Sequence, residues 1–340
     1  MARTSPPPSA PVRVSSSPSP PPPSDPSTAG ETGRPRRDGG TCEHGRPHGC
    51  HTVHASTDPL VGQPVCPDCY DYTGHVLWHA HKLWDRFVID VRRRLASSAG
   101  IVQSRFARHA RLSFARIAEY QKGATVHVHA VIRLDGPDGP TDDPPPWGTP
   151  DRLTRAVYAF AQRVTVRTSC SPAVGELDLS WGTQTDVRVL RADGDGPDDD
   201  AVAAYVAKYV TKGSNETGAG TDHKVTTWDD IDTAPVSRHV RTLMHTCWRL
   251  GGLPAYVPLR LHTWTLTLGY QGHIVTKSRA YSTTYARTTR RRRPPPRPHR
   301  HFRRDHGCAL ALHRLRPHPR RRPHCRWRRY GPGGEPGGST

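Results

Sequence analysis

Long apolar runs are missing from this sequence, and its apolar share is low. Hydrophobic residues make up 34% of the 340, whereas 35 prolines and 30 glycines indicate that much of the length is not packed. No run of about 18 or more apolar residues occurs, so no membrane span is expected. The N-terminus has no apolar stretch of the kind that forms a secretory signal. We therefore expect a cytoplasmic protein, in which the eight cysteines are better explained as metal ligands or core residues than as disulfides.

A phosphate-binding loop is missing as well. Gly213 and Gly218 have the glycine spacing of the G-x-x-x-x-G-K-[ST] motif, but Ala219 and Gly220 follow where the motif requires Lys and then Ser or Thr. The side chains that would hold a nucleoside triphosphate and its Mg²⁺ are therefore absent from this motif. The sequence predicts no ATPase of the P-loop type.

Positive charge is abundant but unevenly placed. The net charge is +19, yet the tail from Arg287 onward holds 17 arginines and two acids, so it carries +15 and the rest of the chain only +4. A basic tail can bind the phosphates of nucleic acid. Arginine, proline, histidine and glycine are also the residues that a GC-rich gene encodes when it is read out of frame. We favour a frame-shifted tail over a functional basic arm and assign the tail no function.

Composition divides the chain into four parts. Residues 1–40 are rich in proline and serine, and we expect them to be disordered because they cannot bury enough apolar surface to fold. Residues 41–74, the Cys/His segment, contain four cysteines and several histidines. Residues 75–285 have the helix and strand patterns of a folded domain. Residues 286–340 are the basic tail, for which we also expect disorder.

Apolar periodicity predicts a mixed fold for the middle of the chain. Two runs with strand patterns flank the tetrapeptide QKGA, which predicts a hairpin in which Gly123 supplies the special backbone angle. The predicted elements are a helix over 76–97, strands over 112–120 and 125–134, a helix over 151–166, a strand over 185–190, and helices over 200–211 and 236–250. This order is typical of an α+β protein with an antiparallel sheet and helices on one face.

Two histidines lie one residue apart in the second predicted strand. Because side chains alternate along a strand, His127 and His129 point to the same face and can bind one divalent cation, while Val128 anchors the strand on the other face. Glu119, at the end of the paired strand, could add a carboxylate, which gives a mixed N/O site suited to Mg²⁺ or Mn²⁺. The alternative is a chance H-x-H, since the chain has 21 histidines. A histidine-triad hydrolase is excluded because Val131 stands where a third histidine is required.

A pair of tyrosines occurs in the sequence YVAKYVTK. On a helix, Tyr205 and Tyr209 are four residues apart and share a face. Lys208 and Lys212 each follow a tyrosine by three residues, close enough to stabilise a phenolate or to bind a phosphate. The alternative is an amphipathic helix that buries two aromatic rings. Taken together, a metal-binding strand followed by a Tyr/Lys helix resembles the layout of the HUH nucleases, and this resemblance implies metal-assisted attack of a tyrosine on a phosphodiester.

Four cysteines of the Cys/His segment have spacing that fits a zinc site: Cys42, Cys50, Cys66 and Cys69. The C-x-x-C pair formed by the last two is moderately specific for structural zinc, and the first two complete a set of four thiolates. Three histidines are alternative ligands in place of Cys42 or Cys50: His44, His48 and His51. Unrelated cysteines or a redox pair would explain the same spacing without a metal.

The segments EYQKGATVHVHAVIRLD and YVAKYVTK resemble the HUH nucleases, and among these the rolling-circle replication initiators of actinomycete plasmids and integrative conjugative elements. Four further segments are similar to that family: CEHGRPHGC, PVCPDCYDYTGHVLWHAHKLWDRF, LSWGTQTDVRVL and GHIVTKSRAYS. The resemblance covers residues 42–285 and stops at the tail. It implies an HUH endonuclease fold of the RRM or ferredoxin-like type. The residues at the family's motif positions are His127, His129, Tyr205, Lys208 and Tyr209.

The resemblance implies a nickase that cuts one strand at a replication origin, frees a 3′-OH and keeps the 5′ end as a phosphotyrosine. Its partner would be origin DNA, double- and single-stranded, and Lys277 and Arg279 are candidates for gripping the strand. Because no phosphate loop is found, unwinding would come from a host helicase and the host replication machinery. Two alternatives stay open: a conjugative relaxase or transposase with the same chemistry, and a zinc-containing nucleic-acid-binding protein without catalysis.

Overall fold

The computed structural model describes residues 12–14, 40–47, 49–50, 52, 54–55, 57–139, 142–182, 185–189, 224–278, 310–312 and 320–322. The helices are α1 (Tyr72–Ala80), α2 (Leu83–Ser98), α3 (Pro150–Ala161), α4 (Trp228–Asp232) and α5 (Arg238–Gly251). The strands are β1 (Val12–Val14), β2 (Arg111–Tyr120), β3 (Val126–Asp135), β4 (Thr165–Arg167), β5 (Glu176–Ser180), β6 (Thr185–Val189), β7 (Val275–Lys277), β8 (Leu310–Leu312) and β9 (Arg320–Arg322). Short 3-10 helices span Gln103–Arg108, Pro254–Leu259 and Leu261–Thr267.

The first predicted helix is divided into two. The α1 helix begins after Asp71, whose carboxylate accepts a hydrogen bond from the Gly74 N–H at 2.9 Å. It ends at His81, which has an extended backbone with a ψ of 147°, and whose ring lies 2.7 Å from the Leu77 carbonyl oxygen. The His81 ring is thus a hydrogen-bond partner for a backbone carbonyl near the helix end. Helix α2 starts two residues later. Apolar spacing continues through the break, which is why periodicity alone predicted one helix.

Two other predicted helices are confirmed with shifted ends. The α3 helix is capped by Thr149, with proline at its first position. It ends at Ala161, and the last two residues of the predicted helix, 165 and 166, lie in strand β4 instead. Ser237 caps α5 by accepting a hydrogen bond from the Val240 N–H at 3.2 Å. The helix predicted over 200–211 lies outside the described residues.

The sheet is antiparallel, as predicted. Six strands follow the order β1-β6-β8-β3-β2-β7, and a separate three-stranded sheet has the order β4-β5-β9. The longest pairing joins β2 to β3 over ten residues, from Arg111 opposite Asp135 to Tyr120 opposite Val126. This mixture of helices and antiparallel strands agrees with the predicted α+β class.

The core lies on one face of the β2–β3 hairpin. Val126, Val128, Ala130, Ile132 and Leu134 alternate along β3 and are all buried in the main apolar cluster. Side chains of the helices α1, α2, α3 and α5 join the same cluster. Burying an aliphatic side chain of this size stabilises the fold by about 1.5–3 kcal/mol. The register of β3, and therefore the direction of its histidines, is held by this burial.

The hairpin turn differs from the predicted one in the residue that has the unusual angle. Ala124 has a φ of 58°, in the left-handed region, and its N–H donates to the Gln121 carbonyl at 2.7 Å. Gly123 has no positive φ; its role is close packing, because a Cβ there would lie 3.3 Å from the Gly62 carbonyl oxygen. The prediction that Gly123 supplies the special angle is therefore wrong.

Three short strands lie in the two terminal parts of the chain, for which composition predicted disorder. β1 pairs with β6 and with β3, where Arg13 stands opposite Val131. β8 pairs with β3 and β6, and Ala311 stands opposite His129. β9 pairs with β5. Along the part of the chain that the structure describes, no helix has the length and apolarity needed to cross a bilayer.

Candidate metal sites on the β2–β3 hairpin and in the Cys/His segment

The predicted histidine site lies on the face of the hairpin opposite to the main core. Glu119 stands opposite His127, and Ile117 stands opposite His129, so the two histidines and the carboxylate share one face. Their neighbours in the strand point the other way into the core, as alternation predicts. All three polar side chains are buried, with 2% of each histidine and 8% of Glu119 exposed. Polar groups buried this deeply need partners.

Each histidine has a polar partner within hydrogen-bond distance. The Nε2 atom of His129 lies 2.9 Å from Oε2 of Glu119, so the predicted carboxylate does reach across the hairpin. The Nδ1 atom of His127 lies 2.9 Å from Nε2 of Gln121, and the centroids of the two imidazole rings are 6.3 Å apart. Sequence reasoning missed Gln121; its position in the turn directly after Tyr120 was the available signal.

This donor set fits a divalent cation. Two imidazoles and a carboxylate form a mixed N/O site, and the Gln121 amide could turn its oxygen towards the same point. The ligand atoms of the hairpin site are not gathered tightly, however. Among the described residues, three or more ligand atoms lie within 4.8 Å of one another in the Cys/His segment, but not at the hairpin histidines.

Three buried histidines from the helices hold the hairpin turn from the core side. His75 Nε2 lies 3.1 Å from the Ala124 carbonyl oxygen, and His239 Nε2 lies 3.2 Å from that of Gly123. The Val126 N–H donates to Nε2 of His79 at 3.4 Å. These three contacts satisfy backbone groups on both sides of the turn. They fix the start of β3 one residue before His127.

Burial keeps these three imidazoles neutral. It lowers the pKa of His79 to about 3 and that of His239 to about 4. Burial, followed by the nearby His79 and His239 rings, holds the pKa of His75 well below its ordinary value. A neutral imidazole can accept a hydrogen bond at one nitrogen, as His79 does from Val126, which a protonated ring cannot do.

Three of the four predicted zinc ligands come together in the Cys/His segment, and a histidine completes a group that could hold a metal. Cys42, His44, Cys66 and Cys69 bring their ligand atoms within 4.8 Å of one another, and His44 Nδ1 lies 3.2 Å from Cys69 Sγ. The structure does not bring Cys50 into this group; His44, one of the alternative ligands, stands in its place. Three thiolates and one imidazole form a recognised structural zinc set.

The thiols of this group are unequal. At Cys42, burial raises the pKa, but hydrogen bonds with the Arg46 and His44 backbone outweigh it and bring the pKa to about 7. Burial, then the neighbouring Cys66 and Cys42, raises the pKa of Cys69 to about 12. One thiolate therefore forms readily at neutral pH, whereas Cys69 would lose its proton only in exchange for a cation.

The Cys/His segment packs directly on the hairpin turn. Gly62 has a φ of +83°, and a Cβ built on it would lie 2.4 Å from the Gly123 nitrogen and 2.5 Å from the Lys122 carbonyl carbon. Only a residue without a side chain allows this backbone approach. The two candidate metal sites are thus joined by one close backbone contact.

The predicted DNA-gripping and catalytic residues are only partly described. Lys277 is exposed on β7 and stands opposite Ala115, on the same face of the sheet as the histidines. Arg279 lies outside the described residues. The tyrosines and lysines of the predicted catalytic helix also lie outside them: Tyr205, Lys208, Tyr209 and Lys212.

Comparisons with known proteins agree with the resemblance read from the sequence. The family of the pSAM2 replication initiator protein, RepSA, matches residues 14–331. A replication initiator protein of Streptomyces ambofaciens is 41% identical over 255 residues, which cover 73% of this chain and 54% of that protein. The chain thus spans about half the length of this relative. No solved structure matches the chain, so the HUH-type fold stays a prediction.

The family match is longer than expected from the sequence. It continues to residue 331, past the change of composition at Arg287, so the expectation that the resemblance stops at the tail is wrong. With most of its length matched, the chain belongs to the RepSA family of replication initiator proteins.

Proposed function

We propose that this chain initiates replication of a plasmid or mobile element by nicking one strand at the element's origin. The observation that carries the proposal is the pairing of Glu119 with His129 beside His127, on one face of a rigid hairpin. Membership of a replication initiator family supports a role at an origin. The proposed substrate is origin DNA, first as a duplex and then as the exposed single strand.

His127, His129 and Glu119 are the proposed ligands of a catalytic Mg²⁺ or Mn²⁺ ion. A cation bound there would polarise the scissile phosphate and offset negative charge in the transition state. The hairpin contributes orientation: the core face of β3 and the helix histidines keep both imidazoles on one side. Glu119 fixes the His129 ring through the 2.9 Å contact and leaves its other carboxylate oxygen for a ligand.

Tyr205 or Tyr209 is the proposed nucleophile. The phenolate oxygen attacks the phosphorus, the bond to O3′ breaks, and the departing oxygen takes up a proton to leave a free 3′-OH. The 5′ end then stays on the tyrosine as a phosphodiester. Lys208 and Lys212 would stabilise the phenolate and the phosphate. A second tyrosine would allow the same chain to cleave again after one round of synthesis.

The remaining groups have supporting roles in this proposal. Zn²⁺ held by Cys42, His44, Cys66 and Cys69 would fix the Cys/His segment against the hairpin turn. Lys277 would contact a phosphate on the histidine face, with Arg279 close by in sequence. Residues 41–74 thus form the zinc segment and residues 75–285 the nuclease. A host helicase would unwind the duplex, because the chain has no phosphate-binding loop of its own.

The test is a nicking reaction with the full chain, Mn²⁺ and a supercoiled plasmid that carries the element's origin. After protease digestion, mass spectrometry should find a peptide containing Tyr205 or Tyr209 on the new 5′ end. Replacing both tyrosines with phenylalanine, or His127 and His129 with alanine, should abolish the adduct while origin binding persists. His262→Ala, whose ring contacts the Trp248 carbonyl oxygen, is the matched histidine control.

Two outcomes would replace the proposal. Origin binding with no adduct and no nicking from the unaltered chain would support the zinc-containing binding protein without catalysis. An adduct that forms on a transfer origin or a transposon end, but not on the replication origin, would support the relaxase or transposase.

A further inference from the structure

Cys50, which the zinc group leaves out, has partners of its own. Its sulfur lies 2.9 Å from Nε2 of His54, and Nδ1 of the same ring lies 2.7 Å from Oδ2 of Asp58. The other oxygen of Asp58 accepts a hydrogen bond from the Leu60 N–H at 2.8 Å. A thiol, an imidazole and a carboxylate thus stand in a line, with the carboxylate itself held in place. Neither His54 nor Asp58 was singled out by the sequence pattern.

The short contact between Cys50 and His54 is that of a hydrogen-bonded pair. A sulfur and an imidazole nitrogen that share one tetrahedral zinc ion are about 3.5 Å apart, given the usual zinc–ligand bond lengths. The observed 2.9 Å is well below that distance. Among the described residues, no third ligand atom joins Cys50 and His54 in a metal-binding group, and two protein ligands are too few for a structural zinc site. The arrangement instead suits proton transfer from the thiol to the ring.

The surroundings favour the charged form of this pair. Burial raises the pKa of the Cys50 thiol, but the hydrogen bond with His54 and contacts with the Thr52 backbone outweigh it, so the net shift is downward. Hydrogen bonds with Asp58 and then Cys50 raise the pKa of His54. Hydrogen bonds with His54 and then the Leu60 backbone lower the pKa of Asp58. Lys122, on the hairpin turn, is a further charged group that lowers the pKa of Asp58.

Cys50 and His54 differ in their exposure to solvent. Cys50 is only partly buried, whereas His54 is buried, with 7% of it exposed. Small reagents can therefore reach the sulfur while the ring stays fixed behind it. Cys247, by contrast, is fully buried with its sulfur against the Leu261 carbonyl oxygen.

We propose that Cys50 is a nucleophilic thiolate, activated by His54 and Asp58, and a site at which hydroperoxides and other small electrophiles modify this chain. With hydrogen peroxide, the sulfur attacks one oxygen, an S–O bond forms and the O–O bond breaks. The sulfur is oxidised by two electrons to sulfenic acid. The departing hydroxide takes the proton from the His54 imidazolium and leaves as water. His54 positions the thiolate and returns the proton, and Asp58 fixes the ring.

The test uses the full chain loaded with zinc. Iodoacetamide labelling is followed by peptide mass spectrometry between pH 5 and 9, and hydrogen peroxide is added in a second series with dimedone to trap sulfenic acid. We expect Cys50 to be labelled half-maximally below the ordinary thiol pKa of about 8.5, and to give the dimedone adduct. His54→Gln should slow labelling at pH 7 by about tenfold or more and move the midpoint upward. Asp58→Asn, a milder change, should act in the same direction.

Zinc content separates this proposal from a zinc-ligand role. Cys50→Ser and His54→Gln should each keep the zinc stoichiometry and circular dichroism of the unaltered chain. Loss of zinc in these variants would overturn the proposal and return Cys50 to the zinc site. The proposal would also be overturned if labelling of Cys50 had the same rate and the same pH midpoint in the unaltered chain and in Asp58→Asn.

Discussion

The β2–β3 hairpin and the Cys/His segment each gather candidate metal ligands, but by different physical means. On the hairpin, the strand period of two and the burial of one face determine where His127, His129 and Glu119 point. In the Cys/His segment, the ligands lie on turns and a C-x-x-C knuckle, with little regular structure around them. A site on strands inherits its geometry from the fold, whereas a site on turns depends on its metal for geometry. The difference predicts which region should collapse when its metal is removed.

Removing zinc should have the largest effect, and only in the Cys/His segment. Structural zinc contributes an apparent binding free energy of about 10–16 kcal/mol in small zinc-finger peptides, so a segment of turns cannot stay folded without it. We expect Cys66→Ser to lose about one equivalent of zinc and to expose residues 41–70 to protease, while Cys50→Ser keeps both properties. Metal analysis and limited proteolysis would measure this. If the Cys66→Ser chain resists protease as well as the unaltered chain does, the Cys/His segment does not depend on its metal for its fold, and the contrast with the hairpin is wrong.

The same contrast explains how much of the two sites could be predicted from the sequence. Alternation placed both hairpin histidines and Glu119 correctly, because it follows from the strand itself. Spacing could not decide between Cys50 and His44, because turns do not fix direction, and Cys50 instead contacts His54. The fold class and most element positions followed from periodicity, with ends shifted by a few residues.

Contacts between distant parts of the chain could not be predicted at all. His75 and His239 come from helices 49 and 116 residues away from the turn residues they contact. No local pattern marks them as partners of a hairpin. Ala124 illustrates a smaller limit: the left-handed angle falls on alanine because Gly123 is needed for the close approach of Gly62. The position of the left-handed angle is thus set by tertiary packing, whereas the local turn sequence alone favoured the glycine.

Acid should destabilise the hairpin from its core side. The folded-state pKa values of His79 and His239 are about 3 and about 4, and that of His75 is also well below 6.5, the ordinary value reached on unfolding. The unfolded chain therefore binds protons that the folded chain does not. The stability from these neutral rings is fully present above about pH 6.5 and is lost as the pH falls below it.

Each such histidine contributes a slope of about 1.4 kcal/mol per pH unit, so the three together approach about 4 kcal/mol per unit between pH 6 and pH 4. Urea unfolding at pH 7.5, 6 and 5 would measure this slope. His239→Gln keeps a donor for the Gly123 carbonyl but does not titrate, so it should reduce the slope by about one third. Equal stability at pH 7.5 and pH 5 would show that these histidines are accessible to protons in the folded chain.

The close contact between the two regions can be tested with a matched pair of glycines. Gly62 and Gly100 both have positive φ values, +83° and +69°, so alanine costs roughly 1–2 kcal/mol at either position from backbone conformation. Only at Gly62 would the new Cβ meet backbone atoms within 4 Å. We expect Gly62→Ala to lower the free energy of unfolding by about 2 kcal/mol more than Gly100→Ala does. If the two variants are equally stable, the Cys/His segment does not rest on the turn as described.

The smallest expected effect concerns the open edge of the histidine face. Lys277 is exposed on β7, and its register opposite Ala115 places it on the face where His129 lies. If it contacts one phosphate of a bound single strand, Lys277→Ala should reduce the slope of log affinity against log salt by about 0.7 and leave sequence preference unchanged. Lys224→Ala, also exposed but outside the sheet, is the control and should leave the slope as it is. Binding of an origin oligonucleotide between about 0.05 and 0.2 M salt covers the range in which one lost contact is measurable. A change of slope in both variants would indicate general charge attraction, whereas a change confined to Lys277 would place the DNA strand along the face that the hairpin histidines share.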